Sequence, residues 1–141
     1  MMRVVLDANV FVSAVLKGDS NPGRLVDLVR QGVVRLLVSP DILTELKTTL
    51  LTPRLRELHR KSHKWVVEFL RELTDLAELT PGETVVKVVE KDPSDNIYLA
   101  CAVEGQADYI VSGDKHLLNV GEFQGISIVN PADFMQAILR K

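Results

Sequence analysis

The chain has 141 residues, 46% of them apolar and 26% charged, with a formal net charge of −2 and a single cysteine. This length suits one domain holding a sheet with helices on both sides, and the composition excludes disordered and fibrous classes. No apolar run approaches the roughly 18 residues that span a bilayer, no secretory leader precedes the first apolar run, and Cys101 has no intrachain partner, so the expectation is a cytoplasmic protein with no membrane association.

The first apolar run, residues 4–6, reads as a short buried strand of a parallel sheet. It meets Asp7 and, two residues later, Asn9. Either could cap a helix over residues 10–16. A carboxylate at the C-terminal end of a strand can instead face the crevice where open α/β sheets bind ligands. Asn21-Pro22 opens a second helix, capped by Asn21 and closed by Gly32, with Leu25, Val26, Leu28 and Val29 on its buried face. Residues 33–38 form the second strand. Ser39-Pro40-Asp41 is a strong helix start, and the helix it begins carries Ile42, Leu43 and Leu46 on one side and Glu45 on another.

Thr52-Pro53 starts a further helical segment, and residues 62–73 continue the pattern with Trp65, Val66, Phe69, Leu70 and Leu73. Residues 76–79 read as a short strand before the Thr80-Pro81-Gly82 turn, and the β-branched residues 84–89 as extended chain. A helix is expected from Asp92-Pro93 through Glu104, ended by Gly105. The strand at 108–111 finishes in Ser112-Gly113-Asp114, followed by a helical turn at 115–118, a last strand at 126–129 and a terminal helix at 131–139. Strands alternating with helices mean a parallel α/β architecture. With no repeat, low-complexity tract or linker, one domain over residues 1–141 is expected.

The acids fall at matching positions. Asp7 ends the first strand, Asp114 follows the fourth, Glu45 lies early on the helix after the second, and Asp95 lies in the first turn of a helix. If strands one and four are neighbours across a topological switch point, Asp7 and Asp114 face each other and Glu45 leans in from the same edge. The helix carrying Asp95 leads into a strand, and on that ground its first turn is expected at the opposite edge unless a long connection or a tilt brings it over. Converging carboxylates without Cys or His suit a hard cation such as Mg²⁺ or Mn²⁺, which would keep them ionised and could activate water against a phosphodiester. Each acid also has a plainer reading: Asp92 as a cap with Asp95 as a first-turn acid, Glu45 as a solvated residue, Asp114 as the cap of residues 115–118.

Between residues 47 and 64 six Lys or Arg (Lys47, Arg54, Arg56, Arg60, Lys61, Lys64) face one acid, Glu57. They read either as a solvated helix face or as a rim that tracks phosphates. His59 and His63 have the spacing of a helical zinc pair, but the residues between them lack the Glu-led zinc motif. Trp65 and Phe69 could stack bases, although their spacing with Leu73 favours core or a dimer seam.

Four segments, Val-Val-Leu-Asp-Ala-Asn (4–9), Ser-Pro-Asp-Ile-Leu-Thr-Glu-Leu (39–46), Asp-Pro-Ser-Asp-Asn-Ile-Tyr-Leu-Ala-Cys-Ala (92–102) and Asp-Tyr-Ile-Val-Ser-Gly-Asp-Lys-His-Leu-Leu (108–118), together resemble the PIN-domain ribonucleases. Within that family they are similar to the toxin–antitoxin PIN group related to VapC-like toxins, and the resemblance runs through Pro-Ala-Asp-Phe near the end of the chain. It implies a three-layer α/β/α Rossmann-like sandwich with a central, mainly parallel sheet, and Mg²⁺- or Mn²⁺-dependent endoribonuclease activity. It implies that Asp7, Glu45, Asp95 and Asp114 are the catalytic, metal-binding acids and that the Asp95 helix reaches the site. Asn9 and Ser112 match supporting polar positions, and Asp92 a peripheral fifth acid. His116 departs from the pattern, since many relatives carry an acid there.

The partners expected are RNA, contacted by Arg54, Arg56, Arg60 and Lys64, a protein antitoxin, and a second copy of the chain. Two alternatives stand beside this reading. A catalytically silent PIN scaffold would bind RNA or protein without cutting, but none of the four acids is missing. A Mg²⁺-dependent phosphotransfer domain wants paired acids at the first strand, where this chain has Asp7 and Asn9. Dinucleotide binding lacks a glycine-rich loop after any strand.

Overall fold

The computed structural model of the protein describes residues 1–87 and 95–140. Along the chain run β1 (Met2–Leu6), α1 (Ala8–Leu16), α2 (Asn21–Arg30), β2 (Val34–Val38), α3 (Pro40–Leu50), α4 (Pro53–His59), α5 (His63–Leu76), β3 (Glu78–Leu79), α6 (Asn96–Gly105), β4 (Tyr109–Val111), α7 (Lys115–Val120), β5 (Glu122–Phe123), β6 (Ile126–Val129) and α8 (Pro131–Leu139). Val4, Val5 and Leu6 are each at most 1% exposed. Consecutive strand residues point to opposite faces, so burial of all three requires helices on both. The result is the expected three-layer α/β/α sandwich around a mainly parallel sheet.

Among the described residues the sheet has six strands in the order β3-β2-β1-β4-β6-β5. All pairs are parallel except β5 with β6. The chain therefore leaves β1 for β2 on one side and returns to β4 on the other, which makes the β1–β4 junction the switch point.

Local chemistry explains most element starts. Ser39, Ser62 and Asn130 cap α3, α5 and α8, their side-chain oxygens accepting the N–H of Ile42, Trp65 and Asp133. The cap of α2 is Ser20, whose Oγ accepts the Gly23 N–H at 3.3 Å; Asn21, expected as the cap, is already the first helical residue. α5 continues to Leu76 and shortens the following strand to two residues. The expected last strand is β6, but β5 has no counterpart in the expected elements, nor has the hairpin it forms with β6. Its loop residues Gln124 and Gly125 have φ of 50° and 82°, the left-handed pair of a type I′ turn, and Gln-Gly is a faint form of the usual Asn-Gly signal. Residues 84–87 form no strand. The remainder of that expected extended run, and the helix start at Asp92-Pro93 with Asp92 itself, lie outside the described residues.

The direction of α6 corrects one expectation. Near its start, the Tyr98 hydroxyl accepts the Ala8 N–H just beyond the end of β1. At its finish, the Gly105 carbonyl accepts two bonds from the Arg3 guanidinium, at 3.0 and 2.7 Å, near the beginning of β1. α6 thus starts at the C-terminal edge of the sheet. Geometry demands this, because a helix that feeds a parallel strand must finish where strands begin. No long connection or tilt is needed. Gly105 allows the close seat of α6 on the sheet: a Cβ there would lie 2.7 Å from Cδ1 of Leu37.

Candidate functional site

The β1–β4 pairing sets Leu6 opposite Val111, so Asp7 and Ser112 are the next residues on the two strands. The Asp7 N–H donates to the Val111 carbonyl at 3.1 Å, extending the ladder by one bond. The Ser112 hydroxyl donates to Oδ2 of Asp7 and accepts the Asp114 N–H at 2.9 Å. One buried hydroxyl therefore joins the two acids across the switch point. Oδ1 of Asp7 accepts the Asn9 N–H at 2.6 Å, and Oδ1 of Asp114 accepts the His116 and Leu117 N–H groups at 2.7 and 3.4 Å. Both acids cap helices, α1 and α7, at the strand ends that meet at the switch point. Asn9 serves Asp7 through its backbone. Asp7 is 3% exposed, and burial pushes its carboxyl above the ordinary range. The Ser112 hydroxyl and the Asn9 N–H pull the other way, while the charge of Asp114 adds to the rise.

Glu45 stands half-buried on α3, with its carboxylate within hydrogen-bonding reach of the Tyr98 hydroxyl. That hydroxyl accepts the Ala8 N–H at 3.1 Å, and the Tyr98 side chain is 1% exposed. Asp95, 6% exposed, occupies the N-cap position of α6 and so lies on the same edge, one turn before Tyr98. Tyr98 is the residue the sequence reading missed. The available signal was a hydroxyl within a buried helix face otherwise made of Leu99, Cys101 and Ala102, since a buried O–H needs a partner. Among the described residues, no group of three His, Cys, Asp or Glu lies close enough to hold one metal ion. The acids instead form two linked sets, Asp7–Ser112–Asp114 and Glu45–Tyr98, with Asp95 at the head of the helix that carries Tyr98.

Residues 3–116 match the PIN domain family. The chain belongs to that family. PIN domains are, as a class, nucleases that use divalent metals. An uncharacterized protein of Methanocaldococcus jannaschii is 29% identical over 119 residues, covering 84% of this chain and 75% of its own length. In fold, this PIN domain is similar to a chain of VapBC2 from Rickettsia felis, whose crystal structure holds a DNA fragment from their promoter. The TM-score is 0.60 at 14% identity, with 92% of this chain and 98% of that one covered.

Elsewhere in this PIN domain, Arg54, Arg56, Arg60 and Lys64 are all exposed. Arg56 and Arg60 line one shallow hollow of about 500 Å³ with Lys61 and Ser62; Arg54 and Lys64 do not line it. His59 is buried, with Nε2 donating to the Leu50 carbonyl and Nδ1 accepting the Lys61 N–H, each at 2.8 Å. Both ring nitrogens are thus engaged within the fold, which argues against a zinc pair with His63. Phe69 belongs to the core, whereas Trp65 is half-buried, stacks on Phe69 at 5.2 Å and carries the Lys61 ammonium 5.0 Å from its ring. Cys101 is a buried free thiol whose pKa burial pushes up to about 11, unsuited to nucleophilic chemistry. No helix among the described residues is long and apolar enough to cross a membrane.

Proposed function

We propose that this PIN domain is a metal-dependent endoribonuclease, the toxin component of a toxin–antitoxin pair acting in the cytoplasm. The observation that carries the reading is the Ser112 bridge between Asp7 and Asp114 at the switch point, with Glu45 tied to the same edge through Tyr98. Two carboxylates in each other's field, one of them buried, are poorly placed in water but well suited to a cation. The donor set is oxygen only, which fits Mg²⁺ or Mn²⁺. Asp7 and Asp114 would hold the ion. Glu45 and Asp95 lie on the same edge and are added to its surroundings on the resemblance, since no three of these acids stand within reach of one ion in the fold described. When bound, such an ion supplies an activated water and neutralises charge on the scissile phosphate. Ser112 keeps Oδ2 of Asp7 turned along the edge, and the Asn9, His116 and Leu117 N–H groups hold Oδ1 of Asp7 and Oδ1 of Asp114 in place. Asp92 is assigned a peripheral role on the resemblance alone.

RNA is the substrate class, and the basic side chains of Arg54, Arg56, Arg60 and Lys64 are its phosphate contacts. The likeness to a VapBC chain supports a protein antitoxin as partner. A homodimer belongs to the same reading, because Trp65 and the 56%-exposed Leu58 leave apolar surface on α5 and α4. The deciding experiment incubates the purified protein with a mixed RNA substrate and Mg²⁺, Mn²⁺ or chelator. Cleavage is expected only with metal, and its loss is expected in Asp7→Asn and Asp114→Asn. RNA binding without cleavage under any divalent ion would favour the silent scaffold.

A further inference from the structure

We propose that Tyr98 is a positioning residue for the metal site: its hydroxyl is the joint that holds Glu45 at the end of β1. The inference rests on the nuclease reading and adds a residue to it. Tyr98 is buried on α6, and its oxygen accepts the Ala8 N–H at 3.1 Å. That bond uses a lone pair and leaves the phenolic O–H free to donate. The Glu45 carboxylate lies within reach to accept a hydrogen bond from it. Ala8 is the residue after Asp7 and opens α1, Glu45 is on α3, and Asp95 heads α6. One hydroxyl therefore fastens together the elements that carry three of the acids.

The direction of the bonds matters. A carboxylate that accepts a hydrogen bond from Tyr98 is held at the C-terminal edge of the sheet and stays ionised for a cation. A phenol is protonated at neutral pH, so Tyr98 is a hydrogen-bond donor there. Phenylalanine would fill the same space and keep α6 seated, but Ala8 would lose its acceptor and Glu45 its donor. Partners that orient metal-binding side chains typically change metal affinity or activity 10- to 100-fold when removed.

The test is Tyr98→Phe against wild type, with Mn²⁺ affinity measured by electron paramagnetic resonance of the free ion, alongside kcat and KM on RNA. The expected result is a folded protein with about tenfold weaker Mn²⁺ binding and a kcat lowered by a similar factor at saturating metal, with KM for RNA unchanged. Glu45→Gln should weaken Mn²⁺ binding as well, and adding Tyr98→Phe to it should then have little further effect. Should Tyr98→Phe not fold, a second measurement needs no change at that position. The chain has two tyrosines, so Tyr109→Phe leaves Tyr98 as the sole one. Adding Mg²⁺ to that protein should give a near-UV tyrosine difference spectrum, absent when Glu45→Gln is combined with it. A wild type that binds Mn²⁺ and cuts RNA while Tyr98→Phe matches it in affinity and kcat overturns the role of Tyr98 alone. So does a flat difference spectrum from a protein that binds Mg²⁺. A wild type that binds no Mn²⁺ and cuts nothing overturns the nuclease reading, and this inference with it.

Discussion

Asp7 caps α1 with one carboxylate oxygen and takes the Ser112 hydroxyl on the other, yet its pKa is raised. Burial outweighs both bonds, so the ionised form is held at a net disadvantage in the metal-free fold. The sign follows from linkage. A carboxyl whose folded pKa lies above its unfolded value of 3.8 contributes stability below that value, and the contribution is lost as pH rises through the folded pKa. Asp7→Asn cannot ionise, retains a good helix cap, and can turn its amide nitrogen toward Oγ of Ser112. Metal-free Asp7→Asn should therefore melt no lower than wild type near neutral pH. A gain of about 1 kcal/mol would raise the melting temperature by roughly 4 °C. The advantage should shrink toward pH 4, and only the wild type should gain stability on adding Mn²⁺. Thermal melts across pH, with and without metal, check all three points. A variant that melts well below wild type at neutral pH would mean that the Ser112 bond matters more than the buried charge.

At the scale of elements, the end of α6 is fastened to the chain that follows β3. The Glu104 carboxylate accepts the N–H groups of Gly82, Glu83 and Thr84 at 2.9, 2.9 and 3.0 Å. Burial works to raise its pKa, but these bonds together outweigh it and hold the carboxyl below its ordinary value. The stability Glu104 contributes is present above the unfolded carboxyl pKa and fades as pH falls through the folded one. Glu104→Gln keeps one acceptor oxygen and loses the other, which should cost about 1 kcal/mol and expose residues 80–87 to proteolysis. Unchanged digestion of that segment would show that the clamp is redundant. The exposed basic residues of α4 and α5 make a separate prediction. Replacing Arg54, Arg56, Arg60 and Lys64 with Ala should weaken RNA binding and lower the salt slope by about 0.7 for each phosphate no longer neutralised, measured by titration at several salt concentrations. Equal affinity at low salt would return these residues to a solvated face.

For the molecule as a whole, assembly turns on Trp65. It packs on the core residue Phe69 but remains partly exposed beside a hollow of about 220 Å³ that also includes Ala14, Val15 and Lys61. Trp65→Glu should give a folded monomer by sedimentation where wild type is a dimer at micromolar concentration, and a monomeric wild type ends the dimer proposal. Fold class and the acid-bearing strand and helix ends were legible because their causes are local. Runs such as Val4–Val5–Leu6 announce a strand buried on both faces, and Ser39-Pro40-Asp41 carries its own cap. Even the Asp7–Asp114 juxtaposition followed from strand alternation once β1 and β4 were taken as neighbours. Other features were less legible. The Ser20 cap and the Gln124-Gly125 hairpin are local but weakly signalled, and the edge at which α6 starts follows from its feeding a parallel strand. The Tyr98 joint depends on where a distant backbone group lies. Tyr98 and Ala8 are 90 residues apart in the chain, and Ser112 and Asp7 are 105 apart. Periodicity and capping report on neighbours along the chain, so they determined the sheet, its helices and the acids at their ends. Hydrogen bonds between strand ends and helix starts exist only once the sheet has closed. Only the tertiary structure could decide which hydroxyl holds which carboxylate.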